Sequence, residues 1–573
     1  MPLPRLSLNP RSILRGSAPY LLWALPLVFL AVFFFYPLGA IFRLVIEAAG
    51  GAGLGWPEVA RIARPLGFTL VQAALSTLLT LVVGLPAAYV FARYRFPGKG
   101  LLRILTTLPF ILPTVVVAAS FNALLGPRGW LNLLLMSGFN LSQPPIQLLN
   151  SLGAILLAHV FYNTTVVIRT VGSAWEQLDP RLEAAGRVLG ASPLRVLREI
   201  TLPLLRPALL ATILLVFMFN FTSFGVVLLL GGPRYATLEV EIYIQALHML
   251  NLPMAGLLSA VQLGITLLLT LAYTLFSGRG VPLAPRLRGE GLRRVETWRQ
   301  RLLVSGVVLT VALLLVLPLT ALAARSVTRL DAERGQRGQV QPGLTFTYYS
   351  ELFVNRRQSL FYVPPVIAAR NSLVYAGATV GLSLALGFLA ASSLSRSRDP
   401  RYTRINRWLD PLLMLPLGAS AVTLGLGYIV VFNRPPLDVR SFPFLIPIAH
   451  SLVALPFVVR TLQPALASIP LSLRQAAAVM GASPWRVWRE VDLPIVSRAS
   501  LVAAIFSFTI SLGEFGATSF LARPEYPTLP VAIFRFLSQP GALNYGQALA
   551  MATLLLLVCA LSIFVLERVR DSF

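Results

Sequence analysis

Residues 188–203 read VLGASPLRVLREITLP, and residues 479–494 read VMGASPWRVWREVDLP. The two stretches agree at 11 of 16 positions without a gap, at a constant offset of 291. The offset persists upstream, where His159, Arg169 and Thr170 pair with His450, Arg460 and Thr461, and downstream, where Phe224-Gly225 pairs with Phe515-Gly516. A chain of 573 residues that repeats itself near its midpoint consists of two homologous halves. In each copy a short helical segment, 181–189 or 472–480, ends at a glycine, Gly190 or Gly481, which allows the backbone a positive φ. Ala191-Ser192-Pro193 follows in the first copy and Ala482-Ser483-Pro484 in the second. Serine before proline is a helix-start signal, with proline suited to the first helical position. The spacing predicts a second short helix through Arg195 and Arg198, ending at Leu202-Pro203. Its counterpart runs through Arg486 and Arg489 and ends at Leu493-Pro494. Each copy then forms a helix–turn–helix lying along a membrane surface.

The membrane follows from composition. Hydrophobic residues make up 56% and charged residues 12%, where a soluble chain carries about a quarter charged residues. Mean hydropathy is +0.74. Apolar runs of about 20 residues, long enough to span a bilayer, recur along the chain. They predict helices near 20–46, 67–92, 102–126, 151–174, 204–231 and 254–277, then 302–324, 370–394, 407–432, 442–463, 495–520 and 543–567. A β-barrel would show short alternating segments instead. The fold class expected is an all-α polytopic membrane protein, with about twelve transmembrane helices in two homologous six-helix halves. The halves are residues 1–280 and 301–573, joined by a linker at 281–300. The first apolar run is long and follows Arg5, Arg11 and Arg15, so it reads as an uncleaved helix and not a signal peptide.

A formal charge of +26 suggests nucleic acid, but the placement of the cations argues against it. Arginines concentrate in short loops at 93–103, 181–199 and 395–407 and in the linker, as the positive-inside rule expects. That places both termini and both repeated loops on the cytoplasmic side. The loop at 325–369 also holds arginines, but long loops carry less orientation information. Its TFTYYSELF stretch suits a short amphipathic helix outside the membrane. Lys99 is the single lysine, and Cys559 the single cysteine, which rules out an intramolecular disulfide and a cysteine metal site.

The repeated segment resembles the EAA loop of permeases in binding-protein-dependent ABC importers. In that family the loop carries a coupling helix that docks on an ATPase subunit. The likeness is specific from the glycine onward, where both copies keep Gly-Ala-Ser and Leu-Pro. Before the glycine it departs from the pattern. The usual glutamate position is Ala184 in the first copy, with Glu183 one residue earlier and Ala185 one later; in the second it is Gln475, followed by Ala476. The resemblance places the loops at about 181–203 and 472–494, between the fourth and fifth helices of each half. Fused double permeases of this length are typical of thiamine and ferric-iron importers. Gly129-Trp130-Leu131-Asn132, the HVFYN stretch 159–163 and the stretches from Ser223 and Ser511 are similar to thiamine permeases in particular.

Polar groups at membrane depth are the other candidates. Glu514 has Ser223 as its repeat partner, so the carboxylate occurs on one half only. It either attracts a cation in the translocation path or pairs with an arginine such as Arg523. Asn163, Ser223, Phe224, Glu514 and Phe515 are the candidate path residues; interhelical hydrogen bonding and core packing are their alternatives. His159 and His450 read as a symmetric helix-packing pair.

No Gly-x4-Gly-Lys-Ser/Thr motif surrounds Lys99, so this chain carries no phosphate-binding loop. The expectation is a transport subunit, not an enzyme, with no catalytic residue, no metal site and no bound cofactor. The resemblance implies ATP and Mg on two copies of a partner ATPase. It also implies a periplasmic or lipid-anchored binding protein outside, and a prokaryotic inner membrane as the location. The substrate expected is thiamine-like, with ferric iron as the alternative. An ion-coupled secondary transporter, which also has related halves, would need more ionisable groups at mid-membrane.

Overall fold

The structure is a computed structural model that describes residues 22–52, 56–232, 234–277, 292–329, 343–355, 363–395, 400–434, 437–438 and 442–571. Arg5, Arg11 and Arg15, the linker arginines at 279, 286 and 288, and Arg396 and Arg398 lie outside the described residues.

Among the described residues the regular structure is helical apart from a short antiparallel pairing of Asn433 with Asp438 and Arg434 with Leu437 and two isolated bridges, Tyr94 with Arg293 and Thr328 with Leu344. Ten helices among the described residues are long and apolar enough to cross a membrane. They run Leu22–Glu47, Ala60–Arg93, Leu152–Gln177, Pro193–Phe221, Leu252–Phe276, Trp298–Ser326, Pro365–Leu394, Leu445–Ala467, Trp485–Gly513 and Ala542–Leu566. The pair Asn406–Gly418 and Ala421–Val431, bent by 96°, passes the same test only when taken together, as a broken span or a re-entrant loop.

The third apolar run of each half is therefore not a straight helix. In the first half, 102–126 divides into Lys99–Leu105, Leu108–Ile111 and Thr114–Leu125. Leu112 is extended (ψ 134°) because it precedes Pro113, and a residue before proline is pushed out of the helical region. In the second half, Pro411 and Pro416 lie in the first arm, and Ser420 restarts the second by accepting the Thr423 amide at 3.0 Å. The fifth run of each half is also interrupted. Helix 193–221 gives way at Thr222–Phe224 to Gly225–Leu230, and helix 485–513 gives way at Glu514–Phe515 to Gly516–Leu521. Ser223 and Glu514 sit in these breaks.

By contacts the chain gathers into two compact units. One comprises Val45–Ala368 and Leu529–Ile563; the other comprises Met1–Leu44, Ala369–Thr528 and Phe564–Phe573. Segments are thus exchanged relative to the two repeats in the sequence. In the second of these units the first membrane helix is tied in by Trp23, whose indole donates to Asn406 at 3.0 Å, and by Phe33, whose ring lies 5.8 Å from that of Phe432. Its core includes Val458, Leu462, Leu466, Val496 and Ala503. The other unit is built on helices 56–93 and 152–177, with Ala88, Val167, Val171, Trp175 and Leu205 packed between them and helix 193–221.

The amphipathic helix expected in the 325–369 loop is present as Thr347–Ser350 followed by a 3-10 turn, Glu351–Phe353. Tyr348 and Leu352 are buried, while Phe346 and Phe353 are exposed.

Candidate functional site

The two repeated loops fold alike. In the first, Asp179 caps helix Pro180–Val188 by accepting the Arg181 amide at 2.9 Å. The helix ends at Gly190, whose φ is +83°. The Gly190 amide donates to the Arg187 carbonyl and the Ala191 amide to the Gly186 carbonyl, both at 3.0 Å. This is a helix C-terminus closed by a residue in the left-handed region, the position that glycine fills without Cβ strain. Ser192 then caps the next helix by accepting the Arg195 amide at 3.3 Å. The second loop repeats the turn and the serine cap, while its first helix starts after Pro470 with no side-chain cap. Helix Leu471–Val479 ends at Gly481 (φ +81°), Gly481 donates to Ala478, Ala482 donates to Ala477, and Ser483 accepts the Arg486 amide.

The segment after the turn departs from expectation. It does not end at Pro203 or Pro494. Helix Pro193–Val196 continues through a turn of π-helix, Leu197–Thr201, into the membrane helix, and Pro484–Val487 does so through Trp488–Asp492. The reason lies in the hydrogen-bond register. The Leu202 amide reaches back five residues to the Leu197 carbonyl, and Leu493 reaches back to Trp488. The wider turn gives room to a proline ring that would otherwise press on the carbonyl four residues earlier. Pro203 and Pro494 thus lie in the first turn of the following α-helix, and the paired surface helices are instead a short helix set against the end of a long one.

The tip of each loop is apolar and bare. Val188 and Leu189 are each 87% exposed, and Val479 and Met480 are 88% and 87% exposed. Leu194 and Trp485 stand exposed beside them, and Trp485 stacks on Trp488 with centroids 4.9 Å apart. Ala184, Ala185, Gln475, Ala476, Arg198 and Arg489 are all exposed. Arg195 and Arg486 are exposed and pair along their own helices with Glu199 at 3.4 Å and Glu490 at 2.9 Å. Glu183, one residue from Ala184, turns inward. Its carboxylate meets Arg93 at 2.6 Å and Arg293 at 3.5 Å and accepts a 3.4 Å hydrogen bond from Thr201.

The repeat equivalents of Glu183 and Thr201 are Arg474 and Asp492. They form their own ion pair at 2.8 Å. The same two positions therefore tie each loop to the root of its membrane helix, with the acid on opposite members of the pair. Sequence marked Arg93 and Arg293 only as arginines of the 93–103 loop and the linker, and it passed over Thr201, Arg474 and Asp492. The available signal was the change of charge between copies at positions 183/474 and 201/492. Close by, the Lys99 ammonium donates to the Tyr94 carbonyl at 2.9 Å, and burial, reinforced by Arg103, lowers its pKa to about 8.

Of the candidate path residues, Asn163, Phe224, Glu514 and Phe515 are buried and Ser223 is half-buried. Asn163 donates to Asn220 at 2.7 Å, and Asn220 also accepts from Gln72 through its backbone carbonyl. Phe224 and Phe515 are buried, with Phe224 against Tyr243 at 5.3 Å. His159 joins Ser76 at 2.9 Å and Ser223 at 2.8 Å. His450 joins Ser511 at 2.7 Å and Thr518 at 2.8 Å. Glu514 meets His450 at 3.2 Å and accepts the amides of Ala517 and Thr518 at 2.8 and 2.9 Å. The side chain that faces the Glu514 carboxylate is thus His450, at 3.2 Å, where sequence had suggested an arginine such as Arg523. The two histidines hold equivalent places in the two halves, each fastening its helix to the break in the fifth run.

Residues 80–288 and 383–572 both match the family described as binding-protein-dependent transport system inner membrane component. The chain is 28% identical over 552 residues to a thiamine transport system permease protein of Brucella abortus, covering 93% of each. It is 26% identical over 504 residues to the thiamine transport system permease protein of Escherichia coli, covering 87% of this chain and 88% of that one. A probable ABC transporter permease protein of Sinorhizobium fredii is 27% identical over 541 residues, covering 92% of this chain and 91% of that one.

Proposed function

Given that the chain belongs to the family of binding-protein-dependent transport system inner membrane components, with the family domain present twice, we propose that it is a membrane subunit of an ATP-driven importer, that it supplies both permease halves, and that the substrate is thiamine. The observation that carries the mechanism is the pair of loops with matching glycine turns and bare apolar tips. An exposed apolar patch on a rigid turn marks an interaction site. Two such turns at equivalent repeat positions suit a two-fold partner, an ATPase dimer that binds ATP and Mg itself. One copy of this chain then serves two ATPase copies.

Both termini and both loops face the cytoplasm in this arrangement, and a binding protein delivers substrate on the opposite side. Closure of the ATPase dimer on ATP draws the loops together. The loops move the membrane helices directly, because each continues through its π-turn into helix 193–221 or 485–513. ATP binding favours one access state over the other only as far as the partner's affinity differs between them.

Thiamine rests on the named relatives, whose similarity runs through nearly the whole chain. Uptake of labelled thiamine and of ferric iron, compared in cells with and without the chain, tests it. Thiamine uptake that falls on deletion supports the assignment; unchanged thiamine uptake with reduced iron uptake refutes it and leaves the importer class intact. Cross-linking of cysteines placed at Leu189 and Met480 to a partner ATPase tests the loops.

A further inference from the structure

The segment that joins the two halves is more than a tether. Its end runs beside residues 93–95: the Arg293 amide donates to the Arg93 carbonyl at 2.8 Å, and the Arg95 amide donates to the Arg293 carbonyl at 2.9 Å. Val295 packs with Val90, Tyr94 and Val304. A capping box at Thr297 and Gln300 then starts helix 298–326. This backbone ladder aims the Arg293 side chain at Glu183, inside the first repeated loop. The second loop has a two-member brace, Arg474 with Asp492. The first has three charges, one acid between two arginines.

We propose that Arg293 is a positioning residue for the first loop, so that the linker sets the orientation of one loop and leaves the other to its own internal pair. The proposal rests on the loops being the ATPase-docking elements, but its structural half does not. Arg93 is 3% exposed at its side chain and holds Glu183 at 2.6 Å. Removing Arg293, which is 36% exposed, therefore leaves a neutral buried pair and no stranded charge. The fold survives, and what changes is the freedom of the helix that carries Glu183. A half-exposed ion pair of this kind restrains its partner by about two- to fivefold in population.

The test uses the full-length chain in lipid nanodiscs, with Cys559→Ser as background and a spin label at Leu189→Cys or Met480→Cys. Arg293→Ala and Arg293→Glu are expected to increase label mobility at position 189 and leave position 480 unchanged; Arg293→Lys restores the restrained spectrum. In the complex with ATPase and binding protein, the same variants are expected to lower binding-protein-stimulated ATP hydrolysis about two- to fivefold with basal hydrolysis retained. Unchanged mobility at 189 in both Arg293→Ala and Arg293→Glu overturns the proposal, as does an equal increase at both loops. Increased mobility at 189 with unaltered stimulation upholds the brace and instead tells against the docking assignment.

Discussion

Gly190 and Gly481 allow the sharpest separation of backbone from contact effects. A Cβ built on either meets no atom within 4 Å, so substitution brings no clash. What it brings is a side chain at φ +83° or +81°, and the left-handed region costs an ordinary L-residue about 1–2 kcal/mol. That corresponds to about a 5- to 30-fold loss in the population of the closed turn. Asparagine tolerates this region and substitutes for glycine at helix C-termini. β-branched valine tolerates it worst. The expected ladder is therefore Gly, Asn, Ala, Val, with no dependence on volume. Hydrogen exchange at the Ala191 and Ala482 amides, which close the turns at 3.0 Å, reports the turn directly. Stimulated ATP hydrolysis in the reconstituted complex reports coupling. Both are expected to fall in that order. A Gly190→Val protein with native exchange and native coupling, or an Asn variant as impaired as Val, would refute the reasoning.

Glu183→Ala leaves the Arg93 guanidinium buried without its partner and is expected to cost about 3–5 kcal/mol. Thermal unfolding in detergent checks this, and Glu183→Leu with Arg93→Met should recover most of the loss. Glu514→Gln removes a charged acceptor from the Thr518 and His450 side chains and is expected to cost about 1.5–3 kcal/mol, against about 1 kcal/mol for Ser223→Ala; the opposite order in thermal midpoint would count against Glu514 as the anchor of the break. Lys99 should react with amine-directed acylating reagents with a midpoint near pH 8, not at its ordinary 10.5. Burial penalises its charged form, so between pH 8 and 10.5 the folded chain has released a proton that the unfolded chain keeps. Stability therefore rises with pH across that window, and below pH 8 the full cost of the buried charge is present. A labelling midpoint near 10.5 would exclude the burial.

The turn and the apolar runs were legible because each depends on residues adjacent in sequence. Gly190 and Gly481 announce a left-handed residue, Ser192 and Ser483 a cap, and the apolar runs a span. The breaks in the third run were written in Pro109, Pro113, Pro411 and Pro416, but a hydropathy window averages over prolines that a backbone cannot ignore. Pro203 and Pro494 misled in the opposite direction. Read as helix stops, they are accommodated by a π-turn whose register depends on the whole following helix. Glu183 and Ala184 differ by one residue, which on a helix is a rotation of about 100°. A nine-residue segment with little apolar periodicity does not reveal which of the two faces inward.

The two loops agree at their exposed tips and differ where they meet their own chain. The turn, its cap and its exposed apolar tip match in the two copies, as the proposed docking on a partner with two like surfaces would require. The braces behind them are free to diverge, since each needs only to oppose charge within its own unit. In the second copy a single pair, Arg474 and Asp492, accomplishes this. In the first, the arrival of the linker beside residues 93–95 adds a second arginine, and Glu183 becomes the point where the connection between the halves bears on the loop. An unfused half would lack that connection. If the fused chain uses it, exchanging the brace charges of the second loop, Arg474→Asp with Asp492→Arg, should leave transport near native. Installing the second loop's pair in the first, Glu183→Arg with Thr201→Asp, should not, because the introduced guanidinium would face both Arg93 and Arg293. Uptake by the two double variants, measured at equal membrane expression, checks this; equal loss in both would mean that the linker contributes nothing beyond a simple charge pair.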